Sequence, residues 1–178
     1  FAQRFEEWMA YYEEQRIHAI SGGLITMRRS MGHANWFRAD DAPEKMLGPC
    51  GEHIVLGFEL QDFLETVRDD STLLNTGLRV SPDVRLERQC APSAEGWVEE
   101  AVQLHLTRGP AYSGRIDPYV ANLVIGCDGE RRLGDLVAEM AASLGVDPAN
   151  MISTVCGVVR QLIERGFLLP ANFVNKNA

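Results

Sequence analysis

The sequence lacks the short motifs that usually mark a reaction centre. It has no glycine-rich phosphate loop, no Cys or His pair at metal-ligand spacing, and no nucleophile beside a base. The four cysteines are scattered without a CxxC pair, so a structural zinc site is not expected. The even number of cysteines could mean two disulfides, but an ordinary core needs no such staples, and we expect reduced thiols and a cytoplasmic location. We therefore assign no catalytic, cofactor-binding or metal-binding residue.

Long apolar runs and basic charge are also scarce. A membrane-spanning helix needs ~20 apolar residues, and no run approaches that length, so no membrane partner is predicted. Lys and Arg number 17 against 25 Asp and Glu, a net charge of −8. Since nucleic-acid binding depends on neutralising phosphates with basic side chains, nucleic acid is not expected as a partner. A hydrophobic content of 46% is typical of a globular protein.

The first part of the chain predicts helices mixed with short strands. Apolar residues at helical spacing, interleaved with glutamates, predict an amphipathic helix over residues 1–17. A Gly-Gly step then leads into a strand over 24–29, and a return strand at 35–38 would complete a hairpin. After a loop, loose alternation over 53–60 predicts a strand, and helical spacing predicts a helix over 60–67.

The second half has clearer start and stop signals. Residues 84–90 and 97–107 predict a hairpin, and a Gly/Pro-rich linker follows. Asp117-Pro118 and Asp147-Pro148 begin helices, with a further helix between them that ends at Gly145, and a short strand closes the pattern at 167–169. We predict an α+β fold of antiparallel strands with flanking helices, followed by a C-terminal three-helix winged-helix module. The predicted domains are 1–112 and 113–178.

Two small groups are candidates for binding a substrate or partner. Asn35, Trp36 and Arg38 offer an amide, an aromatic ring and a guanidinium, which together can stack on and hydrogen-bond a planar ligand or a peptide. Arg131 and Arg132 form a basic doublet in the last module. Each group also has a structural interpretation, because aromatic residues of a hairpin can face a core and a basic doublet can simply be solvated.

The four histidines carry no local sign of metal binding or base catalysis. None of His18, His33, His53 and His105 has another histidine three or four residues away. His33 and His53 lie nearest the middle of the first part and are the histidines we would choose for a substrate contact, although a packed or surface role is the alternative. His105 is expected on the outer face of a sheet.

The helix over 1–17 and the following segment, Ala19-Ile20-Ser21-Gly22-Gly23-Leu24-Ile25-Thr26-Met27-Arg28-Arg29, resemble the closing part of a class I S-adenosylmethionine-dependent methyltransferase of the small-domain or HemK-like kind. In that family a late helix precedes antiparallel edge strands of the catalytic sheet. The resemblance implies S-adenosylmethionine as the cofactor of the full-length protein. The family's glycine-rich loop and its Asn/Asp-Pro-Pro-Tyr motif do not occur in this sequence, so no catalytic or cofactor role is carried over.

The run from Leu123 to Leu136 and the segment Glu164-Arg165-Gly166-Phe167-Leu168 resemble PqqD-like peptide-binding winged helices. Two hypotheses follow from these resemblances. In the first, the chain is the C-terminal substrate-recognition and scaffold part of a methyltransferase, inactive alone, whose partners are its own N-terminal catalytic domain and a protein or ribosomal substrate. In the second, it is a stand-alone winged-helix module that binds a peptide or nucleic acid.

Overall fold

The computed structural model describes residues 2–19, 22–29, 35–41, 43, 46–94 and 96–173. The chain forms two compact units, Phe1–Ala42 and Pro43–Ala178. This division differs from the predicted one after residue 112. Strands from both sides of residue 112 pair within the same sheets, and this pairing joins the two predicted domains.

The first unit contains one helix, α1 (Ala2–Glu14), among its described residues. It confirms the predicted N-terminal helix, although the helix ends before residue 17. None of its residues is buried. Residues 22–29 and 35–41 are neither helix nor strand, so the predicted hairpin is not formed by them, and residues 30–34 lie outside the described chain. Because an isolated two-stranded hairpin is only marginally stable, strand-forming residues alone do not produce one.

The second unit opens with a short strand and two helices: β1 (Met46–Leu47), α2 (Gly51–Thr66) and α3 (Asp70–Leu74). The strand predicted over 53–60 is wrong, because α2 runs through this segment without a break. Leu60 and Leu64, one helical turn apart, are its buried residues. After α2, Asp69 accepts a hydrogen bond from the Thr72 amide at 2.8 Å and so caps α3.

A group of strands follows: β2 (Gly77–Val80), β3 (Val84–Ser93), β4 (Gly96–Leu106), β5 (Gly109–Pro110) and β6 (Ser113–Ile116). The β3–β4 hairpin confirms the prediction. Beyond it, the segment expected to be a linker forms strands instead. β5 pairs with β1, and β6 pairs antiparallel with β4, which gives the sheet order β3-β4-β6.

The remaining elements are α4 (Pro118–Gly126), β7 (Asp128–Arg132), α5 (Leu133–Leu144), a 3-10 turn (Pro148–Asn150), α6 (Ile152–Glu164) and β8 (Leu168–Pro170). The predicted helix start at Asp117-Pro118 and the predicted helix end at Gly145 are confirmed. The Asp117 side chain accepts from the Tyr119 and Val120 amides at the start of α4, and Gly145 ends α5 with φ 67. Only the 3-10 turn before α6 departs from the expected start at Asp147-Pro148.

A second three-stranded antiparallel sheet joins residues from distant parts of the unit, in the order β7-β2-β8. Its central strand, β2, lies upstream of residue 112, so the segment 113–178 does not contain all of this sheet. The fold is α+β with antiparallel sheets, as predicted. The winged-helix assignment of the last module stays a prediction. The largest fully buried side chains form the core of this unit and include Leu60, Leu73, Leu78, Leu104, Leu133, Ile163 and Leu168.

Candidate functional site

The first predicted binding group lies in the first unit. Asn35 is exposed, Trp36 is about one-third exposed, and Arg38 pairs with Asp40 through its Nε at 2.7 Å and through a second guanidinium nitrogen. The guanidinium of Arg38 is therefore engaged by a neighbouring carboxylate of its own segment. Phe37, which lies between Trp36 and Arg38 in the sequence, is 91% exposed.

The basic doublet lies in the second unit, where each arginine has a partner from another element. Arg131 contacts the Glu139 carboxylate of α5, and Arg132 reaches the Asn75 side-chain oxygen at 3.4 Å. The backbone at this point is held by Asp128, whose side chain accepts from the Arg131 amide at 2.9 Å. The described contacts of Arg131 and Arg132 thus connect β7 to neighbouring elements.

Two histidines have acidic partners that the sequence did not reveal. Nε2 of His53 lies 3.8 Å from the Asp83 carboxylate, and Nδ1 of His105 lies 3.8 Å from Glu87. The His53 side chain is only 12% exposed. Its ring lies so close to Gly109 that a Cβ there would come within 2.3 Å of it. His53 is therefore closely packed against main chain, and His33 lies outside the described residues.

The buried thiols are unsuited to reaction. Cys127 and Cys156 are buried and all four cysteines are free. Burial raises the pKa of the Cys127 thiol to about 12, so the reactive thiolate is negligible at neutral pH. Within the described ranges, no three side chains among His, Cys, Asp and Glu gather as a metal ion would require. Nor is any helix in these ranges long and apolar enough to cross a membrane.

An exposed β-ribbon is a further accessible feature of the second unit. We define the ribbon as residues 88–94 and 96–101, the distal half of the β3–β4 hairpin. β6 pairs only with residues 102–105 of β4, so the described chain places no third strand along the ribbon. Most ribbon residues are exposed, and Trp97 is 76% exposed.

The strand register shows which ribbon side chains lie on the same face of the hairpin as the buried residues of β4. Alternate residues of β3 point to one face, so the face of Val84 and Leu86 continues as Arg88, Cys90 and Pro92. The β4 partners of Cys90 and Pro92 are Glu99 and Trp97, and Glu100 is the extra residue of a β-bulge. Trp97 and Glu99 therefore lie on the same face as Arg88.

Arg88 connects this face to α4. Its guanidinium lies 3.2 Å from the Glu99 carboxylate and donates to the Asn122 side-chain oxygen at 3.4 Å. On α4, Tyr119 and Ile125 are three residues to either side of Asn122, so the three side chains share one face. Tyr119 and Ile125 are both well exposed. An accessible aromatic and apolar surface thus flanks an ion pair.

These features describe a protein of mixed α+β class with an exposed β-ribbon. A family model for a domain of unknown function, DUF7782, matches residues 57–170. The match covers more than half of the chain, so the chain belongs to this family. It spans the ribbon, both three-stranded sheets and the helices α3 to α6. No curated protein matches the chain.

Proposed function

We propose that this chain is the C-terminal substrate-recognition and scaffold part of an S-adenosylmethionine-dependent methyltransferase, and that it is not catalytic alone. In this proposal the catalytic domain lies upstream and holds the cofactor. The chain positions a protein or ribosomal substrate, in the cytoplasm. Four free thiols suit that reducing compartment.

The observation that carries the proposal is the uncovered apolar surface of the first unit. In α1, Phe5, Trp8 and Tyr11 are all more than half exposed. The following segment has Ile25 at 86% and Met27 at 89% exposure. Large contiguous apolar surfaces on soluble proteins usually mark an interface, and here a helix and a β-rich segment both lack cover.

A catalytic sheet would supply the cover that this surface lacks. The resemblance of residues 1–29 is to the late helix and the edge strand of such a sheet. A strand-forming segment cannot pair by itself, whereas the edge of a larger sheet offers main-chain donors and acceptors. Residues 22–29 form no strand, as this assignment predicts for the part without its catalytic domain.

The second unit supports the recognition role. Its last elements are α4, β7, α5, α6 and β8, in that order along the chain. This order is consistent with that of a peptide-binding winged helix. The net charge of −8 favours a basic protein over nucleic acid as the recognised molecule.

The coding sequence upstream of Phe1 provides the direct test. A glycine-rich cofactor loop in the same reading frame supports the proposal. A start codon directly before Phe1, or an unrelated domain in that place, refutes it.

Calorimetric titration of the chain with S-adenosylmethionine tests the division of labour separately. We expect no heat of binding to the chain alone and clear binding to the full-length protein. Tight binding to the chain alone would contradict the assignment of the cofactor site to the upstream domain.

A further inference from the structure

The outer edge of β4 along the ribbon is a place where another strand can pair. Further along β4, β6 occupies this edge, and the Leu106 amide donates to the Tyr112 carbonyl at 3.0 Å. Residues 96–101 have no such neighbour in the described chain. Main-chain groups on an unpaired edge are available to bind an extended segment by strand addition.

The other edge of the ribbon is less suited to strand addition. β3 is the edge strand on that side, and it carries Pro92, which has no main-chain N–H. Asp83 pairs with β4, since its carbonyl accepts from the Thr107 amide at 2.8 Å. Even-numbered residues of β3 therefore direct their main-chain groups outward. The missing N–H of Pro92 falls on the outer edge of β3, where natural sheets place proline to discourage pairing.

The side chains along the β4 edge indicate the chemistry of the incoming segment. Trp97 is an exposed aromatic ring, which attracts cations through its face. Glu99 is engaged by Arg88, and the bulged residue Glu100 adds an exposed carboxylate. The ribbon's described charges are thus one basic and two acidic residues, within a chain of net charge −8. This combination is complementary to Lys and Arg side chains.

We propose that the ribbon binds an extended, Lys- or Arg-containing peptide segment, which pairs as an additional strand with residues 96–101 of β4. Alternate side chains of the peptide point to one face, so a basic residue contacts the Trp97 ring while its neighbours along the strand point away. The proposal uses only residues of the second unit and does not depend on the methyltransferase assignment.

A fluorescence-anisotropy titration with a labelled peptide of alternating Val and Lys tests this surface. A peptide of about eight residues is long enough to span residues 96–101 at ~3.4 Å per residue. We expect saturable binding that weakens as salt is raised. A peptide of alternating Val and Glu should bind at least tenfold more weakly, because its charges oppose those of the ribbon.

Two protein variants locate the contact. Trp97→Ala should weaken binding by at least about fivefold, as truncation of an anchoring aromatic usually does. Its matched control is Trp8→Ala, since Trp8 is similarly exposed, at 61%, but lies on α1. Glu100→Lys should also weaken binding, whereas Glu130→Lys, another exposed carboxylate in the second unit, should not.

A third peptide tests strand addition itself. In this peptide, alternate main-chain nitrogens on the pairing side are methylated. Methylation removes the N–H groups that would donate hydrogen bonds to the β4 carbonyls, so binding should be lost. Absence of binding to the Val-Lys peptide at about 1 mM, the weak end of specific association, overturns the proposal. The proposal is also overturned if the methylated peptide binds as tightly as the unmethylated one. The same holds if Trp97→Ala and Trp8→Ala bind the Val-Lys peptide equally well. A sedimentation result in which Trp97→Ala abolishes self-association would overturn it too, because the ribbon would then bind a second copy.

Discussion

Replacement of Arg160 by Met should destabilise the second unit by about 2–3 kcal/mol. From α6, the Arg160 guanidinium contacts the Asp70 carboxylate at 2.6 Å and donates to the main-chain carbonyls of Val67 and Arg68 at 3.2 and 2.8 Å. One side chain therefore joins α6 to the end of α2 and the start of α3. Methionine keeps much of the apolar stem and removes every one of these contacts.

The magnitude follows from the exposure of the groups. The ion pair is 25% and 36% exposed at its two side chains, so solvent screening limits it to ~0.5 kcal/mol. Each bond from the charged guanidinium to a carbonyl contributes ~1 kcal/mol, the lower part of the range for charged donors because water can partly replace it. The sum corresponds to a melting temperature lower by roughly 6–8 °C for a unit of this size.

Urea denaturation followed by circular dichroism measures the loss as a lower midpoint with an unchanged slope. Arg68→Met is the matched control, because Arg68 is 69% exposed and its described side-chain partner is Glu65, so the expected loss is below ~0.5 kcal/mol. Asp70→Asn removes the ion pair and keeps both carbonyl bonds, so its effect should fall between the two. Equal losses for Arg160→Met and Arg68→Met would refute the reasoning.

Three further predictions concern single residues. Iodoacetamide should label exposed Cys90 rapidly, as measured by mass spectrometry. Cys127 is buried and its pKa is raised to about 12, so it should be labelled only after unfolding. Labelling of Cys127 in the native protein would contradict its burial. Hydrogen bonds from side chains and from a backbone amide hold the pKa of Asp69 well below its usual value, so its stabilising effect is complete above about pH 4 and is lost as pH falls. Asp69→Asn should therefore flatten the acid side of a plot of melting temperature against pH, and an unchanged slope would count against it. Gly109→Ala should lower the melting temperature, since φ is +69 and the new Cβ meets the His53 ring. Gly157→Ala in α6 places its Cβ in open space and should raise stability by ~0.5–1 kcal/mol. A Gly109→Ala variant more stable than Gly157→Ala would exclude this account.

Local signals in the sequence were sufficient for the helices of the last segment. Asp117 and Pro118 mark a helix start by capping and by a preset backbone angle, and Gly145 marks an end by its left-handed conformation. The β3–β4 hairpin was equally readable, because alternation in β4 places Leu104 and Leu106 on a buried face. In each case the residues that determine the element are neighbours in the chain.

The errors arise where structure depends on distant residues. Apolar residues in the segment 53–60 fit both an alternating and a helical spacing, and packing of α2 against α6 favours the helix. β7 reads Asp-Gly-Glu-Arg-Arg, which has no strand character, and it is a strand because β2 pairs with it. The acidic partner of His53, Asp83, lies on a different element, so no local spacing could have revealed it.

The central position of β2 has a consequence during synthesis on the ribosome. β2 needs β7 on one side and β8 on the other, and β8 is made about ninety residues later. Sequence separations of this kind slow folding because a long loop must close before the contact is gained. The nascent chain therefore carries an incomplete sheet until residue 170 has left the exit tunnel. Leu78 is fully buried in the finished protein, and during that interval it is accessible to chaperones.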